Sequence, residues 1–146
     1  MSKGFRFVED IALADLAFES WGESLSELFT AAAQAIMETM ANPTTVGTRW
    51  THEVNLSHSQ IQDLLFEWLS TFVFLKDAEA VLFHEVRANV WQNTTDLSWH
   101  VRGILVGDKI DGSKQELRTD IKAVTKHLYE VHAEPGHYRT RIVLDV

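Results

Sequence analysis

The sequence contains no cysteine, only two prolines, and seven glycines that are not clustered among its 146 residues. Without cysteine, the chain can form no disulfide, thiolate zinc site, iron–sulfur cluster or cysteine nucleophile. The scarcity of proline and glycine leaves no linker or low-complexity tract, so we predict one domain over residues 1–146. No apolar run approaches the roughly 20 residues of a membrane-spanning helix.

The charge balance is acidic, with 13 basic and 21 acidic residues and a formal net charge of −8. This balance disfavours a dedicated nucleic-acid surface, and the 45% of hydrophobic residues argues against disorder. Lys3 and Arg6 stand near the start without the apolar core of about 7 to 15 residues that a signal peptide requires. We therefore expect a soluble cytoplasmic protein with one packed core.

A first amphipathic helix is predicted over residues 24–40, where apolar side chains recur at three- and four-residue spacing. Ser24 lies three residues before Glu27, which is the pattern of a capping box. Asn42 and Pro43 should end the helix, because proline cannot continue one.

A second helix is predicted over residues 59–75, with a similar capping signature from Ser57 to Gln60. Trp68 lies at the centre of its apolar stripe, and the stripe is widened by Phe66, Val73 and Phe74. This width predicts a helix that is buried on more than one side.

The remaining segments alternate apolar and polar residues as strands do. Predicted strands cover residues 5–7, 16–21, 50–56, 81–91, 97–106, 121–132 and 138–145. The apolar phase slips near His84, which predicts a bulge, and Pro135-Gly136 predicts a type II turn before the last strand. Two helices among these strands indicate an α+β fold: an antiparallel or mixed sheet with both helices on one face.

Two aspartates stand where strands would begin and end. Asp15 precedes the second strand, and Asp145 comes one residue before the terminal carboxylate of Val146. If these strands are neighbours, three carboxylates converge and repel one another unless a cation binds. Oxygen ligands favour Ca²⁺, Mg²⁺ or Mn²⁺ over zinc. Ordinary solvated aspartates are the alternative interpretation.

Other polar groups are less specific. His132 and His137 flank the last turn, where a solvated loop competes with a metal site, and His127 on the penultimate strand is ambiguous. Five basic residues border the loop between Gly107 and Ile121, and they could contact an acidic partner or RNA or be solvated. They are Lys109, Lys114, Arg118, Lys122 and Lys126.

Several segments together resemble the archease family in order and spacing, across nearly the whole chain. They are Asp63-Leu64-Leu65-Phe66-Glu67-Trp68-Leu69, Phe83-His84-Glu85, Lys122-Ala123-Val124-Thr125-Lys126-His127 and Ile142-Val143-Leu144-Asp145-Val146, with Ala14-Asp15 and Trp21-Gly22 near the start. The most specific parts are the strand that begins at Lys122 and the Leu-Asp-Val ending.

The resemblance implies an accessory protein rather than an enzyme. Archeases activate the RtcB-type RNA ligase of tRNA splicing and RNA repair by promoting guanylylation of a ligase histidine and repeated turnover. Contact of the archease itself with RNA is expected to be indirect or transient, and no membrane is involved. The family's metal ligands correspond to Asp15, Asp145 and Val146, so we expect a divalent cation there, Ca²⁺ in the first place and Mg²⁺ or Mn²⁺ otherwise.

One motif departs from the family pattern. Archeases usually carry His-Thr directly before Ala-Asp, whereas this chain has Ala12-Leu13, and the nearest acidic pair is Glu9-Asp10. A weaker site, a shifted role for Asp10 or a different partner would each be consistent with this departure. Lys122 and His127 match the family strand, and their contribution to the site stays open.

Two other function classes compete with the accessory protein. A metal-dependent hydrolase would use the carboxylates to activate water, but the sequence offers no evident general base beyond His127. A chaperone-like binding module would present an apolar surface, for which Phe66, Val73 and Phe74 are the candidates.

Overall fold

The computed structural model describes residues 2–8 and 15–146. Within these ranges the chain forms seven β-strands, two α-helices and a short 3-10 helix at Pro43–Thr45. In chain order the elements are β1 (Gly4–Val8), β2 (Asp15–Gly22), α1 (Leu25–Met40), β3 (Trp50–His58), α2 (Ile61–Glu79), β4 (Val81–Gln92), β5 (Trp99–Lys109), β6 (Ala123–Glu134) and β7 (His137–Asp145). The predicted α+β class is confirmed.

The strands pair antiparallel in two sheets, with the orders β1-β2-β7-β6 and β3-β5-β4. The predicted antiparallel pairing is confirmed, and the strands divide into two sheets where one was expected. Each helix contacts strands of both sheets. The alternation within a strand shows which side chains face a core, but it does not show which strands pair.

Helix α1 is more widely buried than its periodicity predicts, because ten of its 16 residues lie in the core. Its start confirms the predicted capping box. The Ser24 Oγ accepts a hydrogen bond from the Glu27 backbone N–H at 3.1 Å, and the Glu27 carboxylate accepts one from the Glu23 N–H at 2.9 Å. Small alanine side chains on this helix, including Ala31 and Ala33, leave room for close packing of neighbouring elements.

The capping box predicted for α2 is wrong. Strand β3 continues through His58, which pairs with Trp99, so Ser57 lies in the sheet and cannot cap a helix. Gln60 takes the N-cap position without a side-chain hydrogen bond to the helix. The helix then runs past residue 75 to Glu79, where Ala80 adopts a left-handed conformation with φ of 52°.

Trp68 lies at the centre of the core, as predicted. Its side chain is fully buried, and its indole N–H donates to the Phe29 carbonyl at 3.1 Å. Gly103 on β5 lies directly against the ring: a Cβ atom at this position would be 2.3 Å from Trp68 Cη2. A residue without a side chain is therefore required where β5 passes the tryptophan.

Replacing Gly103 with alanine should lower the free energy of unfolding by about 1 to 3 kcal/mol, because the added methyl overlaps the Trp68 ring. Gly112→Ala is the matched control, since its added Cβ would meet nothing closer than 3.4 Å. In the background Trp68→Phe, which removes the clashing ring atoms, Gly103→Ala should cost less. Urea unfolding measures all four variants, and equal effects of Gly103→Ala and Gly112→Ala would contradict the prediction.

Two predicted irregularities are confirmed. Phe83 pairs with Gly107 and Glu85 with Val106, so His84 is the extra residue of a bulge in β4. Its Nδ1 donates to the Pro43 carbonyl, at 3.0 Å, because a carbonyl can only accept. Gly136 has a φ of 81°, as position three of the predicted type II turn requires.

A larger irregularity in β6 was not predicted. From Thr125 to Glu130 this strand advances five residues, while its partner β7 advances only two. Residues 126–129 therefore bulge from the outer strand of the four-stranded sheet, and Leu128 takes a φ of 53°. The Tyr129 hydroxyl donates to the Gln62 carbonyl at 2.6 Å and ties the bulge to α2.

Candidate metal centre

Asp15 and Asp145 are direct partners in the sheet. Strand β2 begins at Asp15, β7 ends at Asp145, and their Cα atoms are opposite each other in the antiparallel register. Directly opposed residues have Cβ atoms about 4.5 to 5.5 Å apart, so one cation could reach both carboxylates. Strands β2 and β7 are therefore neighbours, as convergence of the two aspartates requires.

The two aspartates share the face of the sheet that lies away from the helices. Their strand neighbours Leu16 and Leu144 pack into the hydrophobic core, and successive side chains of a strand point to opposite faces. Ala123 of β6 occupies the next place in the row, opposite Asp145, and brings no charge. Both aspartates are half-buried, so water has limited access to them.

The backbone at the end of β7 is held from the β6 side. The Lys122 N–H donates to the Asp145 carbonyl at 2.8 Å, and Val146 follows directly. Across residues 2–8 and 15–146, no cluster of three or more His, Cys, Asp or Glu side chains is suited to hold a metal. A cation at this site would thus depend on two side-chain carboxylates, main-chain oxygens and water, a donor set that suits Ca²⁺, Mg²⁺ or Mn²⁺.

The other residues named from the sequence are not assembled around this pair. Asp10 and the Ala12-Leu13 departure lie outside the described residues. His127 is exposed in the β6 bulge. His132 is in register with Arg139, and His137 with Glu134, so the two histidines are not partners across the hairpin.

Several of the basic side chains bordering the loop are engaged by the protein itself. Lys109 donates to the Glu79 carbonyl at 2.7 Å, and Lys126 lies 5.0 Å from the centre of the Phe66 ring. Arg118 contacts Glu38 at 2.7 Å, and this hydrogen bond is the largest contribution that raises the pKa of the guanidinium. Fewer basic side chains are therefore available to contact an acidic partner or RNA than the sequence suggests.

Sequence reasoning missed Lys76, a charged residue in the core. Its side chain is only 6% exposed, and its ammonium group donates to the Asp120 carboxylate at 2.6 Å and to the Ile121 carbonyl at 2.8 Å. Asp77 forms a further ion pair at 2.6 Å. Burial lowers the pKa of Lys76, but the contacts with Asp120 and Asp77 outweigh it, so the pKa lies above its ordinary value. A single lysine beside an apolar stripe carries no sequence signal of this role.

The pattern of the Archease protein family matches residues 5–146 of the chain. The chain belongs to the archease family. It is 31% identical to the protein archease of Methanothermobacter thermautotrophicus and 29% identical to that of Sulfurisphaera tokodaii. These alignments cover 99% of each chain in the first case, and 97% of this chain and 98% of the relative in the second.

Solved archease structures share the fold. The solution structure of Methanobacterium thermoautotrophicum protein 1598 matches with a TM-score of 0.79 and 30% identity, over 98% of this chain and 99% of that one. A crystal structure from Thermotoga maritima, described as an archease and possible chaperone, matches with a TM-score of 0.61 and 20% identity, over 97% and 98%. Within the described part of the archease chain, no helix is long and apolar enough to cross a membrane.

Proposed function

We propose that this archease binds a divalent cation between Asp15, Asp145 and Val146, and that in this form it activates an RtcB-type RNA ligase as an accessory protein. The observation that supports it most directly is the pairing of Asp15 with Asp145 at one end of the four-stranded sheet. Family membership supports the same site, since the family's metal ligands correspond to these residues. The proposal keeps the cytoplasmic location that the sequence analysis expects.

The chemistry of the pair favours a cation. Two carboxylates that are directly opposite and half-buried repel each other more strongly than they would in bulk water. A bound cation supplies the charge that offsets this repulsion. Ca²⁺ is the first choice because it accepts six to eight oxygen ligands in flexible geometry, whereas Mg²⁺ demands near-ideal octahedral coordination.

The role of each residue follows from its place in the fold. Asp15 and Asp145 would each provide carboxylate oxygens, and Val146 would provide main-chain oxygens from the adjoining residue. Lys122 would act through its backbone N–H, which holds the Asp145 peptide. The hydrolase alternative needs a general base beside the carboxylates, and its candidate His127 lies in the exposed bulge of β6.

A binding module is the second candidate, and one side chain favours it. Phe74 is 66% exposed on α2, whereas Val73 is 6% exposed and Phe66 packs against Tyr129 with ring centres 5.8 Å apart. Of the three residues proposed for an apolar surface, only Phe74 is largely open to solvent. The Thermotoga maritima relative is described as a possible chaperone, which is compatible with this second function.

Asp145→Asn should weaken Ca²⁺ binding by removing one ligand charge while keeping the side-chain shape. Calorimetric titration measures the affinity, and thermal unfolding measures stabilisation of the wild type, expected to be about 2.7 kcal/mol when the metal is at 100 times its dissociation constant. Glu134→Gln, at the turn end of the same hairpin, is the control for charge. Absence of divalent binding to the wild type at millimolar metal would contradict the site.

Extending the chain by one glycine after Val146 should also weaken Ca²⁺ binding. The extension converts the Val146 carboxylate into an amide and moves the terminal charge away from the aspartates. Calorimetry on the extended and the original chain compares the two affinities. Equal affinities would show that the Val146 carboxylate is not a ligand.

Ligase activation should require the same site. With GTP, RNA ends and a divalent metal, substoichiometric wild-type protein should accelerate guanylylation of a cognate RtcB-type ligase, and the protein alone should join no RNA. Asp145→Asn should lose this effect, and Glu134→Gln should keep it. If the wild type has no effect with any of several metals, the binding module becomes the better proposal.

A further inference from the structure

Lys76 has a buried side chain whose ammonium group is paired with two exposed carboxylates, and the proposed site does not use it directly. It projects from the last turns of α2 and lines a small surface pocket whose walls include Met40 and Leu82 on one side and Arg118 and Asp120 on another. Within this setting its ammonium group contacts Asp77 on its own helix, and Asp120 and Ile121 on the segment that leads into β6. The lysine therefore joins α2 to residues that are distant in sequence.

Stability alone does not account for this arrangement. The carboxylate partners Asp77 and Asp120 are 62% and 73% exposed, and ion pairs that are open to solvent contribute only about 0 to 1 kcal/mol each. What such a pair can provide is a defined geometry. The geometry in question is the end of the connection between β5 and β6, where Ile121 is fully buried.

Three consecutive residues, Asp120 to Lys122, connect Lys76 to the candidate metal centre. The Asp120 side chain and the Ile121 carbonyl are held by Lys76. The next N–H, that of Lys122, donates to the carbonyl of Asp145. The position of the Asp145 backbone is therefore coupled, through one short stretch of chain, to the Lys76 ammonium group.

We infer that Lys76 is a positioning residue for the cation site: it clamps residues 120–122, so that the end of β7 stays fixed and Asp145 stays opposite Asp15. The inference rests on the proposed function. Lys76 touches neither the carboxylates nor the cation in this account, and its effect passes through the backbone of the segment that it holds.

Lys76→Met tests the inference because loss of the charge and loss of the positioning should change the Ca²⁺ affinity in opposite directions. Loss of a positive charge by itself would make the surroundings more negative and tighten Ca²⁺ binding. Loss of positioning should weaken binding by about tenfold, the lower end of the loss seen when a group that supports a metal ligand is removed. Lys109→Met is the matched control, since it removes an exposed lysine whose ammonium group donates to the Glu79 carbonyl and not to residues 120–122.

Two readouts separate positioning from a merely structural role. Thermal unfolding of Lys76→Met should shift downwards, because Asp77, Asp120 and the Ile121 carbonyl lose their common donor, so Ca²⁺ affinity is measured well below the unfolding temperature of each variant. Amide hydrogen exchange at Lys122, measured without metal, should become faster in Lys76→Met and stay unchanged in Lys109→Met. If Lys76→Met does not fold, Asp120→Asn replaces it in the exchange measurement, with the same expected increase.

Weaker Ca²⁺ binding together with faster Lys122 exchange supports the inference. Binding as tight as that of the wild type, tighter binding, or unchanged Lys122 exchange overturns it. Failure of the wild type to bind Ca²⁺, Mg²⁺ or Mn²⁺ is a different result, because it overturns the cation site itself and with it this inference.

Discussion

The antiparallel pairing of β2 with β7 is the constraint on which the candidate site depends. It joins the early and the late part of the chain in one sheet, and its register places Asp15 opposite Asp145. A shift of one residue would exchange these carboxylates with the core leucines Leu16 and Leu144, because the side-chain period of a strand is two. The hydrophobic core therefore determines the register, and the register in turn determines the position of the carboxylates.

The helices explain how this sheet is held. Both contact strands of both sheets, so one hydrophobic cluster includes Phe18 and Ile142 from one sheet, Val54 and Leu105 from the other, and Trp68 from α2. The fit is tight where Gly103 meets the Trp68 ring. Such packing leaves little freedom for the strands to slide, and a metal site that requires a fixed spacing between two strands benefits from that rigidity.

The candidate site contains few side chains, and neighbouring backbone groups hold them in position. Its proposed side-chain ligands are two aspartates, which the pairing of β2 with β7 places opposite each other, and the Lys122 N–H holds the Asp145 carbonyl. The proposed accessory role fits this arrangement, because it requires only that one cation be presented at the end of a sheet. Phe74, exposed on α2, lines the same surface groove as Lys122 and Ala123.

Local sequence patterns determined the α+β class, both helices, the capping box at Ser24, the His84 bulge and the turn at Gly136. These features depend on neighbouring residues and on periodicity, which a sequence displays. The division into two sheets, the end of α2, the bulge at residues 126–129 and the burial of Lys76 were decided by tertiary structure. They depend on which distant segments pair, and local pattern does not encode that choice. Asp15 and Asp145 combine both kinds of information. The sequence identified them as candidate ligands, and the pairing of β2 with β7 placed them opposite each other.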